Sequence, residues 1–432
     1  MGTSGGPVTA FILALMIVLA PLSAAGRDAS GPDIRENVEI RLLKRDIISA
    51  PTSEVLRSVR EVLTQRGQEH RVAFEVRRTE DSYYILFINE EGLNFPLSSR
   101  GSWIIKRDLR SGEFVQAKIF YHGEPGSFVR VFPDSRGPVS GRSLVDVFLF
   151  GRRIHNDVPA GRSFVDLLTG SFADIVRLTR GTVDWDTLLS PVDPSVYGNS
   201  LGMIRAVREA LPRLPDADDG AMDENGKLVF IESLKAQERL PGFNCSGFAK
   251  WVADGLYRPR TGSFLSLDEL KKKPLDARGS FISRRFEEER DPFFGLDWSR
   301  NIAAALARLD GTSGVTTESQ DVRKLPYWQY REDIGFPAAD LPSILYYLAL
   351  TEPGHFYIAS INREFGRDPV LRQHVHVAVL FPVFREDGTF TAPVFERNVE
   401  TGLESLHNRY SRDFVHLVRV KAGRDFEPPL FE

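Results

Sequence analysis

"PGFNCSGFAKWVADGLY" (241–257) contains the single cysteine of a 432-residue chain, and its periodicity decides how the C-terminal half is read. Phe248, Trp251, Val252, Gly255 and Leu256 fall at i, i+3, i+4, i+7 and i+8, the spacing of one buried helical face. Asn244 is a favoured N-cap, so the helix is predicted to begin with Cys245 in its first turn. Backbone N–H groups without acceptors and the positive end of the helix dipole favour a thiolate there. The same groups, on Cys245 or Ser246, would donate to an oxyanion forming on an attacked carbonyl. The plainer reading of a lone cysteine is a small buried hydrophobe. Gly242 and Gly247 weigh against it, because they admit close approach of other backbone. A glycine in an early helical turn also costs about 1 kcal/mol relative to alanine.

A thiolate nucleophile needs a base from elsewhere in the chain. "RQHVHVAVLFPVF" (372–384) has a strand pattern that places His374, His376, Ala378 and Leu380 on one face and Val375, Val377 and Val379 on the other. Before it, "EPGHFYIASIN" (352–362) reads as a turn and a strand. After it, "DGT" (387–389) turns the chain into "FTAPVFERN" (390–398). Three strands following a cysteine-bearing helix make an α+β arrangement.

Together these segments resemble the NlpC-type papain-like cell-wall cysteine peptidases. "NCSGFAKWV" is similar to the family's "DCSGF" helix start, "EPGHFYIA" to its "PGDLVFF" strand and "HVAVLF" to its "HVGIYIG" strand, in the same chain order. The resemblance covers motifs within residues 227–432 and implies a papain-like domain that hydrolyses amide bonds in peptidoglycan peptides without a cofactor. It implies Cys245 as nucleophile, His376 as base and Glu396, in "FERNVETGL" (395–403), as the third member. His374 is the alternative base, and Asn398, which strand alternation puts on the face of Glu396, is the alternative third residue. The His374–His376 pair has no evident acidic companion for a metal site.

The chain departs from the family at several places. Asn244 stands where the family commonly has an acidic residue that holds the substrate's free amine, and His355 replaces the Asp of "PGD". The long separation of Cys245 from His376 implies an insertion at about 258–340. Within it, Tyr327, Trp328 and Tyr330 of "LPYWQYREDIGF" (325–336) would either stack against substrate or pack into a core. "KKKP" (271–274) and "SRRFEEERD" (283–291) read as solvated charge.

Upstream, "FILALMIVLAPL" (11–22) followed by "SAA" reads as an export signal over residues 1–25, with the mature chain periplasmic or extracellular. No later stretch is long and apolar enough to anchor it in a membrane. Residues 36–185 are expected to form a β-rich N-terminal domain. "TSEVLRSVREVLTQRG" (52–67) has helical spacing, and "HRVAFEVRR", "SYYILFIN", "GSWIIKRDL", "EFVQAKIFYHG", "SFVRVFPD" and "SLVDVFLFG" read as strands. "SFVDLLTGSFADIVRLTRG" (163–181) would close the domain with one or two helices. Prolines and acids over 186–226 read as a linker.

A net charge of -4, from 55 basic and 59 acidic residues, gives no global attraction to nucleic acid or anionic lipid. The partner that the resemblance implies is a peptide-like substrate. Two further readings stay open: an inactive envelope scaffold on the same fold, or a cysteine amidase or acyltransferase with a substrate other than peptidoglycan.

Overall fold

Alternating apolar and polar side chains build the N-terminal region as one antiparallel meander. A computed structural model describes residues 1–2, 35–135, 142–273, 294–367 and 371–430; the apolar run 11–22 and the segment 283–291 lie outside the described residues. Eight strands, β1 (Glu61–Leu63), β2 (Val72–Arg78), β3 (Ser82–Asn89), β4 (Trp103–Asp108), β5 (Phe114–Phe120), β6 (Phe128–Pro133), β7 (Ser143–Leu149) and β8 (Arg152–Pro159), pair in sequence order. Ile85, Phe87, Trp103, Ile105, Ile119, Val129, Val131, Val145 and Val147 bury one face completely.

Short helices α1 (Val38–Leu43), α2 (Arg45–Ser49), α3 (Thr52–Val55), α4 (Phe164–Thr169) and α5 (Phe172–Thr179) accompany this sheet. Ser163 and Ser171 cap α4 and α5, so the expected closing segment is two helices. The expected helix over 52–67 is cut short: it ends at Val55, and residues 61–63 instead pair with β2. Only Val55 of its apolar ladder is buried, while Val59 is 71% exposed, so the sheet edge competes successfully for this chain.

The stretch 186–226 is not a solvated tether. It contains most of α6 (Trp185–Leu188), all of α7 (Gly198–Ala210) and the two-residue strand β9 (Ala221–Met222), which pairs with β10 (Leu228–Val229). Met203, Ile204 and Val207 of α7 are buried, Tyr197 Oη donates to the carbonyl of Ala349 at 2.7 Å, and Arg208 pairs with Glu400. Apolar residues spaced through the prolines anchor the segment.

The second region is mixed α+β, so the chain has a two-part architecture. α8 (Cys245–Thr261), α9 (Leu267–Leu270) and α10 (Phe294–Leu309) are followed by β11 (Phe336–Pro337) and α11 (Leu341–Thr351), and then by β12 (His355–Phe365), β13 (Leu371–Leu380), β14 (Val383–Phe384), β15 (Phe390–Thr391), β16 (Val394–Glu396) and β17 (Val399–Thr401). Helix α12 (Leu403–Tyr410) and strand β18 (Phe414–Lys421) complete it. The main sheet has the order β11-β18-β12-β13-β16-β17, so β18 enters between β11 and β12. Helix α10 falls inside the expected insertion 258–340, yet it lies against α8, β12, β13 and β18 with Leu296, Trp298 and Ile302 buried. It is part of the core.

Helix α8 is more deeply embedded than one apolar face requires, since every residue from Ser246 to Leu256 is buried. Its two charged residues there answer one another: Lys250 Nζ donates to Asp254 Oδ2 at 2.6 Å, with both side chains fully buried. Asp254 Oδ1 also accepts the N–H of Leu265 at 2.8 Å and pins the chain that follows the helix. Burial outweighs the pairing for both groups, raising Asp254 to about 6 and lowering Lys250. Asp254→Ala strands the ammonium and is expected to lower stability by about 3–5 kcal/mol. The double change Lys250→Met with Asp254→Leu is expected to recover most of that loss in a urea melt. A single-variant loss below about 1 kcal/mol would show that the lysine does not depend on this carboxylate.

Candidate functional site

Cys245 occupies the first turn of α8, where the sequence places it. Asn244 has an extended backbone and its Oδ1 accepts the N–H of Gly247 at 2.8 Å. This leaves the N–H groups of Cys245 and Ser246 without intrahelical acceptors, the pair expected to serve an oxyanion. The carbonyl of Ser246 is tied to α10 by Trp298 Nε1 at 2.9 Å. The two glycines have a packing reason. A Cβ on Gly247 would sit 1.9 Å from the carbonyl oxygen of Gly220, and one on Gly242 would sit 2.6 Å from the carbonyl carbon of Asp216.

The imidazole that meets the thiol is His376 on β13. Its charge bears on the Cys245 thiol, and its Nε2 donates to Glu396 Oε1 at 2.8 Å, leaving Nδ1 as the nitrogen away from the carboxylate. Glu396 Oε2 accepts from Thr401 Oγ1 on β17 and from the Arg409 guanidinium on α12. The ring of Tyr410 lies parallel to that of His376, with centroids 5.8 Å apart and 18° between planes.

Burial alone would raise the Cys245 thiol, but His376, the N–H of Val377 and the Ser246 hydroxyl outweigh it and hold the group below the ordinary thiol value. Burial likewise opposes the imidazolium, yet Cys245 and Glu396 raise His376 to about 9. Burial of Glu396 is overcome by His376, Thr401 and Arg409, which hold it at about 2. Thiol, imidazole and carboxylate stand in one row, with the thiol shifted toward the thiolate and the imidazole toward the imidazolium.

His374 is elsewhere. The β12–β13 register shifts so that Ile361 faces His376 and Asn362 faces His374, leaving Val375 without a partner. This bulge breaks the alternation that would put both imidazoles on one face. His374 Nδ1 instead pairs with Ser360 Oγ at 3.2 Å, against Gly295 of α10, where a Cβ would come within 2.1 Å of the ring. Asn398 is also displaced. Strand β16 ends at Glu396, Arg397 takes a φ of 53°, and Asn398 Nδ2 donates to the carbonyl of Leu214 at 2.9 Å.

The aromatic residues of the expected insertion pack. Trp328 is buried with Nε1 on Ser343 Oγ at 3.2 Å, and Tyr327 lies edge-on to His155, Trp328 and Tyr347. Trp328 is thus a core residue, while half-buried Tyr327 packs against β8 through His155. Among the described residues, Glu318, Glu332 and Asp333 converge closely enough to suit a cation. Arg323 pairs with the two glutamates and Arg300 with Asp333, supplying the opposing charge.

The residues missed in the sequence are Thr401, Arg409 and Tyr410. Leu403, Leu406 and Tyr410 at i, i+3 and i+7 behind Gly402 signal helix α12. Nothing local signals that its last turn meets Glu396.

The family described as Domain of unknown function (DUF8515) matches residues 30–187, the N-terminal sheet with helices α1 to α5. Searches of curated proteins and of solved structures gave no match.

Proposed function

We propose that the protein is a cysteine peptidase or amidase in which Cys245 attacks an amide carbonyl. The observation that carries this reading is the thiol–imidazole–carboxylate line at the N-terminus of a buried helix. The thiolate adds to the carbonyl, and the N–H groups of Cys245 and Ser246 receive the oxyanion. His376 gives its proton to the leaving amine, and water, deprotonated by the same imidazole, then releases the acyl group from sulfur. Glu396 holds Nε2 and favours the imidazolium.

A papain-like NlpC-type domain is the fold reading that fits this order of helix and strands. With the apolar run at 11–22 it supports export and action on peptidoglycan peptides. One observation favours a different acyl substrate. Asn244 is committed to the helix cap and carries no charge for a free amine, which suits an internal amide of a protein or peptide, or an acyl donor.

Two measurements test the proposal. Iodoacetamide is expected to label wild-type Cys245 at a rate that stays nearly flat from about pH 6 to 8, whereas an ordinary thiol gains about tenfold per pH unit below its pKa of about 8.5. In Glu396→Gln the imidazolium loses its carboxylate, so the His376 pKa falls, the thiol rises and the rate at pH 7 is expected to drop about tenfold. A wild-type profile that climbs like an ordinary thiol contradicts the activated nucleophile. Incubation with purified peptidoglycan and, separately, with a mixed peptide library, each followed by mass analysis, is expected to give cleavage that Cys245→Ala abolishes. Cleavage that survives Cys245→Ala assigns it to another agent.

A further inference from the structure

Glu396 and His376 are both met from the same side by one short helix whose residues the thiol chemistry above does not use. Strand β16 ends at Glu396, Arg397 reverses the chain, β17 returns as far as Thr401, and α12 begins at once behind Gly402. This tight path brings the last turn of α12 back over the site. Arg409 reaches the outer oxygen of Glu396, while Tyr410 lays its ring flat on the His376 imidazole. Arg409 also lies over the Tyr410 ring, 5.2 Å from its centroid, so the two side chains brace one another.

We propose, resting on the reading of Cys245 and His376 as a reactive pair, that α12 is an orienting element in which Tyr410 fixes the rotation of the imidazole and Arg409 fixes Glu396 behind it. An imidazole on a strand has a χ2 torsion with broad wells, and a half-turn about it would put Cδ2 in place of Nδ1 and Cε1 in place of Nε2, breaking the contacts to sulfur and carboxylate. A ring stacked on its face penalises that rotation without touching either nitrogen. A carboxylate held by two donors on one oxygen keeps the other oxygen aimed at Nε2. Both are positioning residues.

The charged and titratable groups around this assembly are few. Glu396 faces His376 from β13 and Arg409 from α12, with Thr401 of β17 as a neutral donor. Tyr410 feels Arg409, Glu396, Cys245 and, from β12, Arg363, whose guanidinium is itself paired with Asp413 at 2.8 Å. Removing Arg409 therefore takes away the only cation besides His376 bonded to Glu396 among the described residues.

The test is the pH profile of iodoacetamide labelling of Cys245 in the full chain, read beside the melting temperature. Four variants are compared: Arg409→Gln, Arg409→Lys, Tyr410→Leu and Tyr410→Phe. Arg409→Gln is expected to weaken Glu396 as a partner of the imidazolium, lift the thiolate limb by about one pH unit and so cut the rate at pH 6 about tenfold. Arg409→Lys restores the charge and is expected to bring the limb back. Tyr410→Leu is expected to slow labelling about tenfold across the range, because the productive rotamer is populated less, and Tyr410→Phe, which keeps the ring, to stay within about twofold. Profiles of Arg409→Gln and Tyr410→Leu that superimpose on the wild type overturn the inference while leaving the thiol chemistry standing. Losses that follow the melting temperature equally in all four variants overturn it in favour of a purely structural helix. A wild-type thiol with an ordinary profile overturns both this inference and the function on which it rests.

Discussion

A helix buried on every side has to settle all of its polar groups inside the protein, and α8 is such a helix. From Ser246 to Leu256 none of its residues reaches solvent to a useful extent. Burying Phe248, Trp251, Val252 and Leu256 gives roughly 1.5–3 kcal/mol each, enough to fix where the helix lies. Its remaining groups are then arranged to suit. Gly247 lets the Gly220 carbonyl approach, Gly255 meets the ring of Phe426, Lys250 and Asp254 cancel one another, and Asn244 closes the first turn. These contacts place Cys245, which itself packs against the core. Its position at the helix start follows from packing that needs no catalysis.

The site itself is held by alternation of charge. An isolated ion in a buried place costs several kcal/mol, so a single thiolate or a single imidazolium would be neutralised by proton transfer. Here the sequence of groups runs thiol, imidazole, carboxylate and guanidinium, with the imidazole and carboxylate shifted toward their charged forms and Arg409 at the outer end, 44% exposed. Each inner charge has an opposite charge on either side, and the last one is hydrated. This explains why Glu396 stays far below the ordinary carboxylate value while lying 5% exposed, and why His376 is raised in spite of burial. The sulfur stands at the inner end of this row, beside His376.

Much of this was legible in the sequence because it rests on local periodicity. Six strands of the N-terminal sheet, the cap at Asn244, the strand of His376 and the hairpin at Asp387–Gly388 are each encoded by neighbours within a dozen residues. The misreadings fall where a partner distant in the chain decides. Residues 56–67 carry helical spacing, but the open edge of β2 takes three of them. The extra residue Val375 separates two histidines that a regular strand would have aligned. The prolines of 190–215 suggest a tether, while Tyr197 and Val207 show it to be packed. Arg409 and Tyr410 are invisible for the same reason, since their meaning depends on a reversal at Arg397 that places a positive φ on an ordinary side chain.

Besides the Arg152–Asp340 ion pair, the two parts of the chain meet through groups that remain neutral. Tyr346 of α11 hydrogen-bonds His122 at 2.7 Å, and its ring packs with Phe150, Phe384 and Phe390. Burial lowers His122 to about 3 and raises the Tyr346 phenol far above its ordinary value, so neither changes charge between about pH 5 and 9. Within that window His376 is the histidine whose folded pKa is raised, and its contribution to stability is full below the unfolded value of about 6.5 and is lost as pH rises through about 9. Glu396 adds a contribution that is present above its unfolded value of about 4.3 and is lost only as pH falls through about 2. The contact between the regions therefore stays put while the imidazole titrates, and protonation of the site is uncoupled from docking of the N-terminal sheet. The N-terminal sheet is fastened to the second region by these aromatic rings, by His122 and His155 and by the Arg152–Asp340 pair, none of which involves the groups of the Cys245 site.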